Sequence, residues 1–249
     1  MRKVNKLKNL DGVDSKIIGK SVQHRPIYAF HAGGYCGAQV IIIGGIHARE
    51  WITTLLVVEL VKKEKEKLKT GDASDGIWFI PLCNPDGVKI ALEKEPLWKA
   101  NARGVDLNVN FDADWGSGAQ NVFTAGSENY VGPFPTSEPE TRAICVFTRE
   151  VCPKVVIAYH SKGEVVYWGA EVSRALAEQL AQVTGYVAEQ THESTGGYCD
   201  WVSKHLGVPA VTVEVGCDEY AHPIGADKLP EILLQNKCVP EMLVRFIKL

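Results

Sequence analysis

An apolar run that ends in two glycines and then in metal-ligating side chains is the feature that most restricts how this chain folds. Residues 40–50 are V-I-I-I-G-G-I-H-A-R-E. The aliphatic run predicts a strand buried on both faces. His47 and Glu50 then follow within one turn, so an imidazole nitrogen and a carboxylate oxygen can bind one Zn²⁺. Taken alone, an H-x-x-E pair is more often a histidine near a surface glutamate, so a third ligand must be found elsewhere.

Two other apolar segments end in the same way. Residues 154–159, K-V-V-I-A-Y, lead directly into His160, and residues 209–215, P-A-V-T-V-E-V, carry Glu214. Ligands of open α/β sheets lie at the carboxyl ends of the strands, so we expect both side chains to converge with the H-x-x-E pair. An unpaired carboxylate between valines costs about 2 kcal/mol or more to bury. A catalytic base with a raised pKa is one of the few good reasons for keeping it there.

The composition fits a globular enzyme and excludes two classes of partner. The chain has 249 residues, 45% of them hydrophobic, and we expect one domain over residues 1–249. With a net charge of −3 and no basic stripe, it lacks the positive surface that nucleic-acid binding needs. No apolar segment approaches the roughly 20 residues that span a bilayer. We therefore expect no nucleic-acid partner and no membrane partner.

The cysteines predict a reducing compartment. Seven are present, an odd number without a C-x-x-C pair, unlike a disulfide framework or a structural zinc site. Reduced thiols fit a cytoplasmic protein. The basic amino terminus is followed by no apolar run, which a secretory signal would require. We therefore expect a cytoplasmic location.

Strand and helix patterns alternate along the chain, which predicts an α/β fold with a mostly parallel or mixed sheet covered on both faces. The predicted strands are residues 26–31, 40–44, 77–82, 155–159, 165–167 and 210–215. The predicted helices are residues 51–69, 138–150, 172–184 and 198–205 and a region after residue 228. Residues 84–132, rich in Gly, Asn, Asp and aromatic residues, predict a long loop, and such loops are usually functional.

Seven segments in chain order carry a specific set of motifs. They are residues 44–51 (G-G-I-H-A-R-E-W), 84–88 (N-P-D-G-V), 104–108 (G-V-D-L-N), 133–140 (P-F-P-T-S-E-P-E), 159–161 (Y-H-S), 196–201 (G-G-Y-C-D-W) and 212–214 (T-V-E). Together they resemble the zinc carboxypeptidase A-like metallopeptidases. The resemblance implies a single α/β domain with a mixed, mostly parallel sheet of about eight strands flanked by helices on both faces. It also implies one catalytic zinc ion and the hydrolysis of amide bonds in a peptide substrate.

The resemblance also implies roles for individual residues. His47, Glu50 and His160 match the three zinc ligands of the family, and Glu214 matches its general acid/base. Asp106 matches the carboxylate that orients the first histidine ligand. This last role has a physical basis as well, because such a carboxylate fixes the histidine tautomer and raises its basicity.

Three candidate substrate-binding positions depart from the family pattern. Asn108 is retained, but Val109 replaces the arginine that grips the terminal carboxylate of a substrate. His192 stands at the place of the mobile tyrosine that caps the substrate. Cys199, at the specificity pocket, has neither the charge nor the bulk found in family members that select basic side chains. Ordinary carboxypeptidase specificity is therefore not expected.

The arginine that polarises the scissile carbonyl in the family has two candidate replacements. Lys99 fits the offset after Trp98, and Arg103 is the nearest permanent cation. Either can stabilise an oxyanion, and the alternative for both is a surface charge on a loop. Glu164 and Glu193 are carboxylates that could meet an amine of the substrate, although both are more often merely solvated.

Residues 160–168 and 197–201 are similar to those of the short bacterial family members that cut γ-D-glutamyl-diaminopimelate bonds of peptidoglycan peptides. This favours a peptidase acting on such peptides. The alternatives are a metallocarboxypeptidase of broader specificity, a desuccinylase-type amidohydrolase and a catalytically silent zinc-binding domain. The S-E-P-E, N-P-D-G and G-G-Y-C-D-W segments favour a peptidase over the amidohydrolase, and the presence of Glu214 argues against a silent domain.

Overall fold

The computed structural model describes residues 1–34, 39–69, 76–191 and 195–248, which are built around one mixed β-sheet. The strands of these ranges are β1 Val13–Lys20, β2 Pro26–Ala32, β3 Val40–Ile43, β4 Ile77–Ile80, β5 Val155–His160, β6 Val165–Trp168, β7 Val187–Gln190 and β8 Ala210–Glu214. They pair in the order β1-β2-β4-β3-β5-β8-β6-β7. The pairs β3–β4, β3–β5, β5–β8 and β6–β7 are parallel, and the other three are antiparallel. The eight-stranded, mostly parallel sheet is thus confirmed.

Helices cover both faces of this sheet. They are α1 Arg2–Leu7, α2 Trp51–Lys69, α3 Pro85–Glu93, α4 Pro139–Val151, α5 Arg174–Thr184, α6 Tyr198–Leu206, α7 Leu229–Asn236 and α8 Val239–Phe246. Short 3-10 turns span Ala48–Glu50, Leu107–Val109, Glu171–Ser173 and Ala226–Lys228. None of the described helices is both long and apolar enough to cross a membrane.

The central strand β3 shows why the sheet has a core on each side. All four of its residues are fully buried, and successive side chains point to opposite faces. Val40 and Ile42 pack in the core beneath α2, α5 and α8, whereas Ile41 and Ile43 pack in the core beneath α4 and α6. Each fully buried aliphatic side chain stabilises the fold by about 1.5–3 kcal/mol relative to an exposed one. A strand buried on both faces therefore needs a continuous aliphatic run, and residues 40–43 are such a run.

The strands that carry the candidate functional residues end at the same edge of the sheet. β5 lies between β3 and β8, and the three strands run parallel. His160, the last residue of β5, stands in register with Glu214, the last residue of β8. The turn that follows β3 brings His47 to this edge. The expected convergence of strand ends is therefore observed.

Four elements were missing from the sequence-based prediction. Strands β1 and β7 lie at the two edges of the sheet and are mostly exposed, so they lack an apolar pattern. Helix α1 is a short helix within the basic amino-terminal segment. Helix α3 lies within residues 84–132, so the prediction of a loop throughout that segment was wrong.

The start of α3 explains that error. Its first residues, Pro85, Asp86 and Gly87, are residues that also favour turns. Here the Asn84 side chain accepts a hydrogen bond from the Gly87 N–H at 2.9 Å, and proline occupies the first helical position. Asparagine as the capping residue and proline next to it are signals for the start of a helix.

Candidate metal centre and active site

Three buried side chains form a compact set of metal-ligating atoms. His47 directly precedes the 3-10 turn Ala48–Glu50, and His160 ends β5. His47 Nδ1 lies 2.8 Å from Glu50 Oε1, and His160 Nδ1 lies 3.1 Å from Glu50 Oε2. One ligand atom from each residue can be chosen so that all lie within 4.8 Å of one another. In the described part of the chain, this is the set of histidine, cysteine and acidic residues that could hold a metal ion.

The donor set fits a catalytic zinc ion. Two histidines and one carboxylate are a known ligand set of catalytic zinc sites, which keep a further position for water or substrate. The two imidazole Nδ1 atoms lie 3.1 Å apart and face the same carboxylate. His47 Nε2 lies 3.1 Å from Asp106 Oδ1, so its N–H is directed to that carboxylate and the Nδ1 lone pair is left for a metal. Glu50 is further oriented by the Ser161 N–H, which donates to Oε2 at 3.2 Å.

Two glycines let β3 pass directly into this turn. A Cβ on Gly44 would lie 2.9 Å from the Thr53 carbonyl oxygen. Gly45 has a φ of +62°, and a Cβ there would lie 2.3 Å from Thr54 Oγ1. Larger residues would therefore push the strand away from α2. The G-G pair of the sequence is explained by this close approach.

The buried titratable groups of the metal centre have pKa values that are shifted in different directions. Burial alone would lower the pKa of His47, but the Glu50 and Asp106 carboxylates outweigh it and raise the pKa to about 9. Burial likewise opposes ionisation of Asp106, yet His47 and Lys99 hold the pKa of that carboxyl well below its usual range. For His160, burial lowers the pKa. The electrostatic field at this edge of the sheet thus favours a bound cation.

Glu214 lies beside the ligand set but is not part of it. It ends β8, and its Oε2 is buried without a hydrogen-bond partner. Burial, followed by the nearby negative charge of Glu50, raises its pKa well above the usual value. A carboxyl group of this kind can hold a proton near neutral pH and release it again.

The two candidate cations occupy different positions. Lys99 lines the cavity at the metal centre, and its Nζ lies 2.7 Å from Asp106 Oδ2 and 2.6 Å from Asn129 Oδ1. Its carbonyl oxygen also accepts a hydrogen bond from the Ala48 N–H at 2.9 Å. The Arg103 side chain is 54% exposed, lies 3.5 Å from Glu138 Oε2 and is not among the residues that line the cavity. The geometry favours Lys99.

The cavity in front of the centre has a volume of about 390 Å³, within the range of small-ligand sites. The candidate substrate-binding residues Asn108 and Cys199 line it, and so does Val109. Asn108 is fixed because its Oδ1 accepts a hydrogen bond from the Tyr198 N–H at 3.2 Å. His192 and Glu193 lie outside the described residues.

Several cavity residues were not identified from the sequence. They include Asn129, Tyr167, Asp200 and Thr212. Asp200 lies within the G-G-Y-C-D-W motif, so it was visible but had no assigned role. Asn129 has a φ of +62°, which is unusual for a residue other than glycine and marks a constrained loop. Its position depends on tertiary structure and has no signal in the local sequence.

A model of the zinc carboxypeptidase family matches residues 7–237. Among curated proteins, the chain is 30% identical to gamma-D-glutamyl-L-diamino acid endopeptidase 1 of Lysinibacillus sphaericus, over 83% of this chain and 61% of that protein. It is 31% identical to the uncharacterized protein YqgT of Bacillus subtilis strain 168, over 82% of this chain and 65% of that protein. The chain thus spans less than two thirds of the length of these relatives.

Solved structures give the same fold. Bovine thrombin-activatable fibrinolysis inhibitor superposes with a TM-score of 0.85 at 20% identity, covering 99% of this chain and 93% of that one. Murein-tripeptide amidase MpaA from Escherichia coli O157 superposes with a TM-score of 0.65 at 22% identity, covering 94% and 92%. At these identities, the comparisons show the shared fold.

Proposed function

This chain belongs to the zinc carboxypeptidase family, and on that premise we propose that it is a zinc-dependent peptidase in which His47, Glu50 and His160 hold the metal. The observation that carries the proposal is the convergence of these three side chains with Glu214 at one edge of the sheet. A zinc ion bound there supplies Lewis-acid activation of water and of the scissile carbonyl.

Glu214 is the proposed proton carrier. Its unpartnered, buried Oε2 takes a proton from the attacking water and delivers it to the leaving nitrogen. Burial supports both steps, because it raises the pKa of the carboxyl well above its usual range. A raised pKa makes the carboxylate a stronger base toward water, and the resulting carboxylic acid supplies the proton that the leaving amine needs.

Lys99 is the proposed electrostatic stabiliser. An ammonium group has three N–H donors, and two lie toward Asp106 and Asn129. The third is left for the carbonyl oxygen on which negative charge develops. The same contacts hold Lys99 in place, so little reorganisation is needed when the substrate binds.

The proposed substrates are peptides in which a γ-D-glutamyl group is joined to a diamino acid. The Lysinibacillus relative is named for that bond, which supports this substrate class at 30% identity. A second support is Val109, which lines the cavity but cannot make the charge-assisted contact that an arginine offers a terminal carboxylate. Among the described lining residues, Lys99 is the only lysine or arginine, and Asp106 already engages it.

A substrate panel tests this proposal. The zinc-loaded protein is incubated with a murein tripeptide, with hippuryl-type carboxypeptidase substrates and with N-succinyl amino acids, and initial rates are compared. We expect the murein tripeptide to be cleaved at the γ-D-glutamyl bond with the highest kcat/KM. Equal efficiency on hippuryl substrates would favour a broad carboxypeptidase. Preference for succinyl amino acids would favour the desuccinylase-type alternative.

A further inference from the structure

Asn84 is a fully buried side chain whose hydrogen bonds join two segments of the candidate active site. Its Nδ2 donates to the Ile46 carbonyl oxygen at 3.1 Å and to the Ala100 carbonyl oxygen at 3.0 Å. Ile46 directly precedes the proposed zinc ligand His47. Ala100 directly follows Lys99. One amide group therefore bridges the segment of the metal ligands and the segment of the proposed electrostatic stabiliser.

The other polar groups of Asn84 hold this bridge in place. Its backbone N–H donates to the Gly45 carbonyl oxygen at 2.9 Å, so the residue is fixed to the chain that follows β3. Its Oδ1 accepts from the Gly87 N–H at 2.9 Å, which leaves both N–H donors of the amide for the two carbonyls. A Cβ on Gly87 would lie 2.3 Å from the Ala100 carbonyl oxygen and 2.5 Å from Asn84 Nδ2. Glycine at position 87 therefore leaves room for the bridge.

The bridge acts on the backbone that carries Lys99. A second contact joins the same two segments, because the Ala48 N–H donates to the Lys99 carbonyl oxygen at 2.9 Å. The Lys99 ammonium group is held separately, by Asp106 at 2.7 Å and Asn129 at 2.6 Å. The side-chain contacts orient the ammonium group, whereas the bridge sets where the side chain begins. A displacement of about 1 Å of a catalytic group can cost about 100-fold in rate.

We propose that Asn84 is a positioning residue that sets the place of Lys99 relative to the zinc ligands and acts on catalysis through Lys99. The inference rests on the proposed peptidase function, in which Lys99 stabilises the developing negative charge. Asn84 is not among the residues that line the catalytic cavity, so we expect no direct contact with the substrate. The first residue of the N-P-D-G motif thus has a role beyond capping α3.

Asn84→Ser tests the bridge. Serine keeps an oxygen that can cap α3 but lacks both N–H donors of the amide. We expect kcat to fall by roughly 10- to 100-fold. KM should change little, because the charge that Lys99 stabilises develops only in the transition state. Zinc content should equal that of wild type, since the ligand side chains are unchanged.

Asp86→Asn is the matched control. Asp86 is buried in the same first turn of α3, where it pairs with Arg25 and accepts from the Gln23 N–H at 2.8 Å. This variant weakens the start of α3 without touching the bridge, so its kcat should stay near that of wild type. An equal fall in kcat in Asp86→Asn and Asn84→Ser would overturn the inference, because any weakening of α3 would then lower activity.

A double-mutant cycle with Lys99→Met tests the route of the effect. If Asn84 acts through Lys99, Asn84→Ser should lower kcat little further once the ammonium group is gone. Losses that multiply would overturn the inference, because they would show that the two residues act independently. Asn84→Asp is the second variant should Asn84→Ser fail to fold. It keeps the shape and the capping oxygen but replaces the donors with an oxygen.

A labelling measurement separates this inference from the proposed function. Acetylation of the Lys99 amine, followed by mass spectrometry of the zinc-loaded protein, requires no turnover. The Lys99 side chain is only 18% exposed, so its acetylation should be slow in wild type and in Asp86→Asn and faster in Asn84→Ser. This result supports the inference even if no peptide is cleaved, in which case the proposed reaction fails. Cleavage by wild type together with unchanged acetylation in Asn84→Ser supports the reaction and overturns the inference.

Discussion

The residues at the candidate active site divide into those proposed to perform chemistry and those proposed to contact the remainder of a substrate. His160 and Glu214 end paired strands, and His47 and Glu50 lie at the 3-10 turn that follows β3. Val109 and Cys199 lie instead on a 3-10 turn and on α6. Substitutions in the two groups should therefore have different kinetic consequences.

Glu214→Gln should abolish proton transfer while preserving the shape of the side chain. We expect bound zinc and thermal stability close to those of wild type and a fall in kcat of at least about 100-fold, the lower end of what general acid–base catalysis supplies. Zinc content by atomic absorption and steady-state rates check this. Near-normal turnover would place the base on another residue.

Val109→Arg should restore a clamp for a terminal carboxylate at the cavity wall. A charged hydrogen bond contributes about 1.5–3 kcal/mol, so hydrolysis of hippuryl-type substrates should rise about 10- to 100-fold. Val109→Met, which adds comparable bulk without charge, is the control. The prediction fails if the methionine variant gains as much as the arginine variant.

At the scale of secondary-structure elements, the packing of β1 on α4 is unusually close. A Cβ added to Gly19 would lie 2.4 Å from the Cβ of Ala143, a distance at which the strand or the helix must move. Helix α4 begins at Pro139, and the buried residues on either side of it, Glu138 and Glu140, both accept hydrogen bonds from the Asn101 side chain. Through Asn101, this helix is tied to the segment that carries Lys99.

Gly19→Ala should therefore lower the free energy of unfolding by about 1–3 kcal/mol, as overpacking does. Ala143→Gly removes the opposing methyl group, so the double variant should lose less than the sum of the two single losses. A double-mutant cycle by urea denaturation measures the difference. Strict additivity would show that the two residues do not oppose each other.

At the scale of the whole molecule, the proposed metal site joins two distant parts of the chain. Its ligands lie at positions 47, 50 and 160, and β5 connects them to the strand of Glu214 at the centre of the sheet. A ligand that binds only the folded state stabilises it in proportion to the logarithm of its concentration over Kd. Metal binding should thus be measurable as an increase in the free energy of unfolding of the whole domain.

Chelation should lower the Tm of the wild-type protein, and added zinc should restore it. His160→Ala should show neither effect, because a ligand has been lost from the set. Differential scanning calorimetry with and without chelator checks this, and Asp114→Asn, a substitution away from the site, should respond as wild type does. An undiminished zinc-dependent shift in His160→Ala would exclude this residue as a ligand.

Much of the metal centre was predictable because its signals are local. Polar residues directly after aliphatic runs mark the ends of buried strands, and the central strands β3, β5 and β8 were predicted to within one or two residues. Edge strands β1 and β7 carry no such pattern, because their side chains face solvent. The contact of Lys99 with Asn129 joins residues 30 positions apart, so no local pattern predicts it. No feature of the structure reports on the cellular compartment, so the cytoplasmic location stays a prediction.

The proposed catalytic residues and the residues of the cavity walls lie on different elements, and this has a consequence for how substrate specificity could change in evolution. Gly44, Gly45 and the parallel register position His47, His160 and Glu214, whereas Val109 and Cys199 lie on the turn Leu107–Val109 and on α6. Replacements of these two wall side chains are therefore expected to alter which molecules are accepted while the side chains at the strand ends stay in place. Such a scaffold is suited to gradual exploration of new substrates, whether by natural drift or by a library confined to positions 109 and 199.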